Sequence, residues 1–256
     1  MLLLIDAGNT RIKWALCAST PLRPGVPPVW LQMASVSHDE MAQLPEQWKH
    51  LQPAHVHISN VAGQMIRDQL TAILFDLNPT LPIHWFASVA QIAGIQNHYR
   101  NPAQLGCDRL AAVAGAHHLF PDQALIVATG GTATTVDAVS ADGVFHGGMI
   151  LPGLKLMAQS LARNTAQLPQ VAESIAVDQP FADNTDQAIV SGCIHAQVGA
   201  ITRATQVFSQ TQQCAVQCVI SGGAAPYLLP HMDIPCIHID NLVLTGLYVV
   251  AQSGTL

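Results

Sequence analysis

Residues 2–5, Leu-Leu-Leu-Ile, form an unbroken apolar run that stops at Asp6-Ala7-Gly8-Asn9-Thr10. A short apolar run ended by turn residues predicts a strand buried on both faces. Over residues 11–17 the pattern changes to alternation, with Ile12, Trp14 and Leu16 on one side, and predicts a second strand returning from a tight turn. The Pro-rich stretch 20–28 reads as loop. Residues 38–51 and 63–74 read as helices, with short strands at 56–59 and 83–86 around them. A long loop at 94–105 then leads into an Ala- and Leu-rich helix at 108–119.

The second half begins in the same way. An apolar strand at 125–128 ends at Thr129-Gly130-Gly131-Thr132-Ala133, and residues 134–139 read as its hairpin return before an Asp142-Gly143 turn. Helices are predicted at 154–163 and 187–208. A strand at 216–221 ends at Gly222-Gly223-Ala224, a helix follows before Pro230, and residues 241–252 fit a closing helix. Strand, glycine turn and returning strand thus recur near the start of each half. The repeat predicts a duplicated α/β domain, residues 1–117 and 118–256, with a central cleft between the halves.

Half of the residues are hydrophobic, only 10% are charged, and mean hydropathy is +0.30. A chain this apolar is expected to bury surface between subunits. Its longest apolar runs fall far short of the roughly 20 residues of a membrane-spanning helix, so no membrane partner is expected. Net charge is −6 with three lysines, Lys13, Lys49 and Lys155, and the absence of a basic patch argues against a nucleic-acid partner. No basic, cleavable leader opens the sequence, which makes a cytoplasmic location the expectation. The six cysteines lack C-x-x-C spacing and read as reduced thiols. The twelve histidines join no cysteine or carboxylate set of zinc-site spacing.

The glycine turns carry the chemistry. A nucleoside triphosphate needs backbone N–H groups close to its oxygens, which favours residues without a Cβ, and a carboxylate to hold magnesium through water. Asp6, Ala7, Gly8, Asn9, Thr10, Arg11, Ile12 and Lys13 offer these at one strand end: Gly8 for close approach, Asn9 and Thr10 as donors, Asp6 for the metal, Lys13 for positive charge. An ordinary hairpin with an Asx turn would produce the same residues. The turn at Gly130-Gly131-Thr132 is its natural partner, and Ser221-Gly222-Gly223-Ala224 is suited to face adenine or ribose. There is no G-x-x-x-x-G-K-[ST] P-loop, and the first turn opens a hairpin rather than the helix of a dinucleotide fold. Paired hairpin turns belong to the architecture of actin, Hsp70 and the sugar kinases.

Tyr99-Arg100-Asn101-Pro102, followed by Leu105-Gly106-Cys107-Asp108-Arg109, resembles the type III pantothenate kinases, in which a Tyr precedes a Gly-x-Asp-Arg element by seven residues. The resemblance continues at residues 147–154, at Asn164-Thr165-Ala166-Gln167-Leu168-Pro169, at Asn184-Thr185, at Gly222-Gly223-Ala224 and over 241–247. It implies the duplicated actin-like ATPase (ribonuclease H-like) fold and ATP-dependent phosphorylation of pantothenate to 4'-phosphopantothenate, the first step towards coenzyme A. It implies ATP and magnesium as cofactors, with Asp6 through Lys13 and Thr132 at the phosphates. Tyr99, Gly106, Cys107 and Arg109 would line the pantothenate pocket, Thr185 would come from the neighbouring subunit of a homodimer, and Asp108 would be the general base. The residues agree with that role, since a carboxylate can orient an alcohol and take its proton, and Arg109 can fork onto a carboxylate. An Asp at a helix N-terminus beside a solvated Arg has a plainer explanation in the helix dipole.

The family often carries Asp where Thr129 stands, at a position associated with a monovalent cation. A neutral hydroxyl is a poorer ligand, which puts dependence on potassium or ammonium in doubt, and activity is expected to be largely insensitive to potassium. Two other readings stay open: a kinase for a different small hydroxyl compound, and a non-catalytic nucleotide-binding homologue acting as a regulatory accessory factor. The presence of both Asp6 and Asp108 separates the first reading from the last.

Overall fold

The computed structural model describes residues 1–165, 168–169, 177 and 179–254. They group into two units: Met1–Asp122 with Gly143–Phe145 and residues 241–254, and Gln123–Asp142 with His146–Asp240. This grouping differs from a single cut after residue 117, because the closing helix counts with the first unit.

In the first unit, β1 (Leu2–Ala7) turns back into β2 (Arg11–Cys17), and β3 (Trp30–Ser37) lies beside β2. A 3-10 turn, His38–Gln43, leads into the short α1 (Leu44–Trp48), followed by β4 (His55–Asn60), α2 (Gln64–Leu77) and β5 (Ile83–Phe86). The strand order is β3-β2-β1-β4-β5, with β1 antiparallel to β2 and parallel to β4. As the unbroken apolar run requires, β1 is central. Leu3, Ile5 and Ala7 join Trp14, Trp48, Val56, Ile58 and the Ile66, Leu70 and Leu74 stripe of α2 in one core. Residues 94–105, read as loop, contain structure: β6 (Gln91–Ile92) and β7 (Ile95–Asn97) form a tight hairpin across Ala93 and Gly94, both at positive φ. The strands are too short for periodicity to reveal them. Next comes α3 (Cys107–Leu119), buried along most of its length.

The second unit opens with β8 (Ala124–Gly130), its antiparallel return β9 (Ala133–Val139), and β10 (Val144–Pro152), whose first two residues, Val144 and Phe145, themselves belong to the first unit and pair there with β7. Then follow α4 (Leu154–Asn164), the long α5 (Thr185–Gln212), β11 (Val216–Ser221), the one-turn α6 (Ala225–Leu228) and β12 (Cys236–His238). The order β10-β9-β8-β11-β12 repeats that of the first unit strand for strand, with β8 again antiparallel to its hairpin partner and parallel to β11. The core lies between this sheet and α5, with Val190, Ile194, Val198 and Ile201 against Ile126, Ala128, Cys218 and Ile220. The chain then returns to the first unit as α7 (Leu242–Gln252).

The packing of α7 on α3 explains why the closing helix belongs there. A Cβ on Gly115 would lie 2.8 Å from the Gly246 nitrogen and the Leu242 carbonyl oxygen, and one on Gly246 would overlap the Ala111 carbonyl. Only glycines allow this approach, and it fixes the helix that carries Asp108. Among the described residues no helix is long and apolar enough to cross a membrane.

Candidate active site

The first turn is set by the β1–β2 hairpin. The Gly8 N–H donates to the Arg11 carbonyl at 3.1 Å, leaving Asn9 and Thr10 at the exposed tip. Asp6 is the last polar side chain of β1 before the turn and stands in register with Lys13 on one side and Ser59 on the other. Burial, and then the charge of Asp108, push its carboxyl up to about 7 against the pull of Lys13. Part of the Asp6 surface still meets water, so burial here is incomplete. Arg11 is turned aside: its guanidinium donates to the Ser35 hydroxyl at 3.0 Å and reaches the Ser35 carbonyl.

Asp108 arrives from a different part of the chain. Gly106 is the N-cap of α3, and a Cβ there would come within 2.6 Å of the Asp108 carboxylate, so glycine leaves room for the acid to fold back. The Arg109 N–H donates to Asp108 Oδ1 at 2.8 Å. Burial nevertheless raises the Asp108 carboxyl, against the lowering effect of that N–H and of the Arg109 guanidinium. Arg109 is 6% exposed, and its Nη1 donates to the Tyr99 hydroxyl at 3.2 Å. Tyr99 is held from behind. Its N–H donates to the Asn97 side chain, buried Asn97 in turn donates to the carbonyls of Val89 and Pro102, and the Tyr99 ring lies against Phe145. Cys107 points to β4, its sulfur 3.4 Å from the Ser59 hydroxyl and within reach of the Asn60 carbonyl, and burial pushes its thiol up, away from thiolate chemistry.

Asp6, Lys13, Tyr99, Gly106, Cys107, Asp108 and Arg109 therefore gather within one unit around the carboxyl ends of β1 and β4. Asp6, partly removed from water and raised further by the charge of Asp108, is unfavourably placed as a bare carboxylate. A divalent cation shared with phosphate oxygens would relieve it, and magnesium typically takes one or two carboxylates with water and phosphate. Among the described residues no group of three or more acids, histidines or cysteines is arranged as a metal cage. The donor set thus fits magnesium carried in with its nucleotide.

In the second unit the two remaining glycine turns meet. The Ala224 N–H donates to the Gly130 carbonyl at 3.1 Å, and Gly222, at φ +88°, packs where a Cβ would strike that carbonyl. Thr132 is exposed, and its carbonyl accepts from Gly153 N–H. Thr129 is half-buried at the end of β8. Thr185 is the exposed first residue of α5, capped by Asn184. Of the stretch 164–169, Ala166 and Gln167 lie outside the described residues. Two residues escaped the sequence reading. Ser59 lies in a strand whose pattern spoke only of burial. His38 lies in a segment read as ordinary helix, yet its Nε2 is 2.9 Å from the Gly8 carbonyl oxygen.

A sequence profile for the type III pantothenate kinases matches residues 2–207. The chain is 54% identical over 255 residues to the type III pantothenate kinase of Janthinobacterium sp. (strain Marseille), covering 98% of this chain and 97% of that one. It is 52% identical over 254 residues to that of Herminiimonas arsenicoxydans, with the same coverage. Among solved structures, a candidate 2-dehydro-3-deoxygalactonokinase from Sinorhizobium meliloti superposes with a TM-score of 0.59 at 14% identity, over the whole of both chains. The repeated sheet is accordingly the actin-like ATPase and sugar-kinase fold, and the chain belongs to the type III pantothenate kinase family.

Proposed function

We infer that this protein transfers the terminal phosphoryl group of ATP to the primary hydroxyl of pantothenate, forming 4'-phosphopantothenate for coenzyme A biosynthesis. The observation that carries the reading is the placement of Asp108: a half-buried carboxyl, raised by that partial burial, whose charge reaches Asp6 at a glycine turn and which stands one residue from an Arg109–Tyr99 pair. Phosphoryl transfer depends on alignment and charge neutralisation more than on covalent help. A raised carboxyl is a better proton acceptor than an ordinary one, which suits Asp108 to orient the hydroxyl and take its proton. Arg109, held by Tyr99, offers a rigid fork to the carboxylate of pantothenate. The backbone of Gly8, Asn9 and Thr10 faces the phosphates, and Lys13 adds charge. Arg11, engaged by Ser35, acts through the shape of the hairpin. Magnesium, held near Asp6, supplies neutralisation of phosphate charge when bound.

The protein acts as a cytoplasmic homodimer in this reading, with Thr185 completing the partner's site. In support, α4 buries none of its residues, and Met149, Ile150, Leu156, Leu161 and Phe181 of the second unit are exposed apolar side chains of the kind that interfaces cover. A regulatory homologue without catalysis would have no need of both carboxylates.

The test is ADP release by purified protein with ATP and magnesium, comparing pantothenate with other small alcohols. Turnover with pantothenate alone is expected. Turnover with a different alcohol would replace the substrate, and none at all would favour the regulatory reading. Asp108→Asn should lower turnover by about 10²–10⁴-fold while leaving ADP binding in place, and near-normal rates would remove Asp108 from the role of base.

A further inference from the structure

The phosphate turn is braced from outside the hairpin that forms it. His38 is the first residue of the 3-10 turn after β3, and its Nε2 lies 2.9 Å from the Gly8 carbonyl oxygen. A carbonyl can only accept, so Nε2 carries the proton and donates. The platform beneath the ring is itself fixed. Glu40 accepts from both the N–H and the hydroxyl of Ser37, at 2.9 and 2.8 Å, in a capping box, while Arg11 is pinned to Ser35 two residues earlier on β3. Strand pairing holds Arg11 opposite Ser37, and the Gly8 N–H closes on the Arg11 carbonyl. The imidazole thus gives the Gly8 carbonyl a side-chain donor from outside the hairpin.

The peptide bond following Gly8 is planar and trans, so its carbonyl and the Asn9 N–H point in opposite directions. With the carbonyl held toward His38, the Asn9 N–H is directed to the opposite, exposed side of the turn. Without the brace, a glycine peptide can flip at little cost and turn a carbonyl oxygen, rather than an N–H, toward a phosphate. We propose that His38 is a positioning residue for nucleotide binding: through the Gly8 carbonyl it presets the Asn9 amide as a phosphate donor. The inference rests on the kinase reading above, in that it takes the β1–β2 turn as the phosphate site.

Two measurements separate the claims. ADP affinity of the wild-type protein, by calorimetry with magnesium, tests the site itself: a wild type that binds no ADP overturns the nucleotide reading and this inference with it. His38→Phe and His38→Leu remove the donor by two routes, so one misfolded variant does not close the test, and His38→Gln keeps a side-chain N–H. Loss of one preset hydrogen bond should weaken ADP binding and raise KM for ATP about fivefold to tenfold. KM for pantothenate should stay unchanged, and His38→Gln should recover much of the loss. Unaltered ADP affinity in the folded donor-less variants would overturn the proposal, as would a parallel rise in both KM values without rescue by His38→Gln.

Discussion

Asp6 sits where the folded protein resists its ionisation, and this makes a prediction about stability in the absence of metal and nucleotide. Its carboxyl moves from an ordinary value of 3.8 to about 7 on folding, chiefly through burial and then through Asp108. Well below pH 4 both folded and unfolded chains hold the proton, and the group contributes nothing. As pH rises from 3.8 towards 7, the unfolded chain releases its proton while the folded one keeps it, so stability falls. Above 7 the loss levels off. The whole shift corresponds to about 4 kcal/mol. Because Asp6 keeps some contact with water, roughly 2 kcal/mol is the better expectation. Asp6→Asn removes the titration, so at pH 8 the metal-free variant should melt higher than wild type, by about 4–8 °C on the usual scaling for a chain of this size. At pH 4 the two should melt together. Thermal denaturation monitored by circular dichroism from pH 4 to 8, with chelator present, reads this directly. Parallel profiles for the two proteins would show that Asp6 is not held protonated by its surroundings, and the description of an unfavourably placed carboxylate at the end of β1 would fail.

Other expectations follow from single features. Gly246→Ala forces a methyl into the Ala111 carbonyl and should destabilise by about 3 kcal/mol or more, a fall in Tm of roughly 6–12 °C; an unshifted melt would mean that α3 and α7 are not so close. His57 is 6% exposed, stacked on His84 at 4.6 Å and without a partner for Nδ1, and burial lowers it to about 4. The unfolded chain therefore gains the proton first as pH drops below 6.5, and His57→Phe should remove up to about 3 kcal/mol of acid lability between pH 6.5 and 4; an unchanged acid midpoint would contradict this. With Thr129 in place of an acid at the end of β8, potassium at fixed ionic strength should leave turnover unchanged, and strong activation would refute that reading.

The strands that proved most legible were those whose burial is complete. Residues 2–5 announced a central strand because both faces are covered, 216–221 announced a strand ending at a glycine turn, and Asp6–Thr10 announced a turn because glycine and short polar side chains ended the run. The repeat of two glycine turns anticipated the duplicated sheet order, which depends on nothing subtler than apolar runs and their terminators. What stayed hidden was held by contacts remote in sequence. The short β6–β7 hairpin is fixed by two positive-φ residues and by Asn97, whose hydrogen bonds reach back to Val89 and forward to Pro102. Residues 38–51 looked like one helix, but Ser37 and Glu40 cap a 3-10 turn there and so aim His38 at Gly8. Of the candidate site, Asp6 was singled out by its glycine turn and Tyr99 and Asp108–Arg109 by resemblance. The engagement of Arg11 by Ser35 was not visible in the turn motif, since Ser35 lies on the next strand.

The return of α7 to the first unit has a consequence for how the molecule can be made. The segment that covers the apolar side of Asp108's helix is translated only after every residue of the second unit, so the first unit cannot finish folding on the ribosome while the second is still being synthesised. Cutting the gene after codon 122 would not yield a smaller working module; it would release a fragment with an uncovered greasy helix, to be rescued, if at all, by supplying residues 241–254 as a separate peptide.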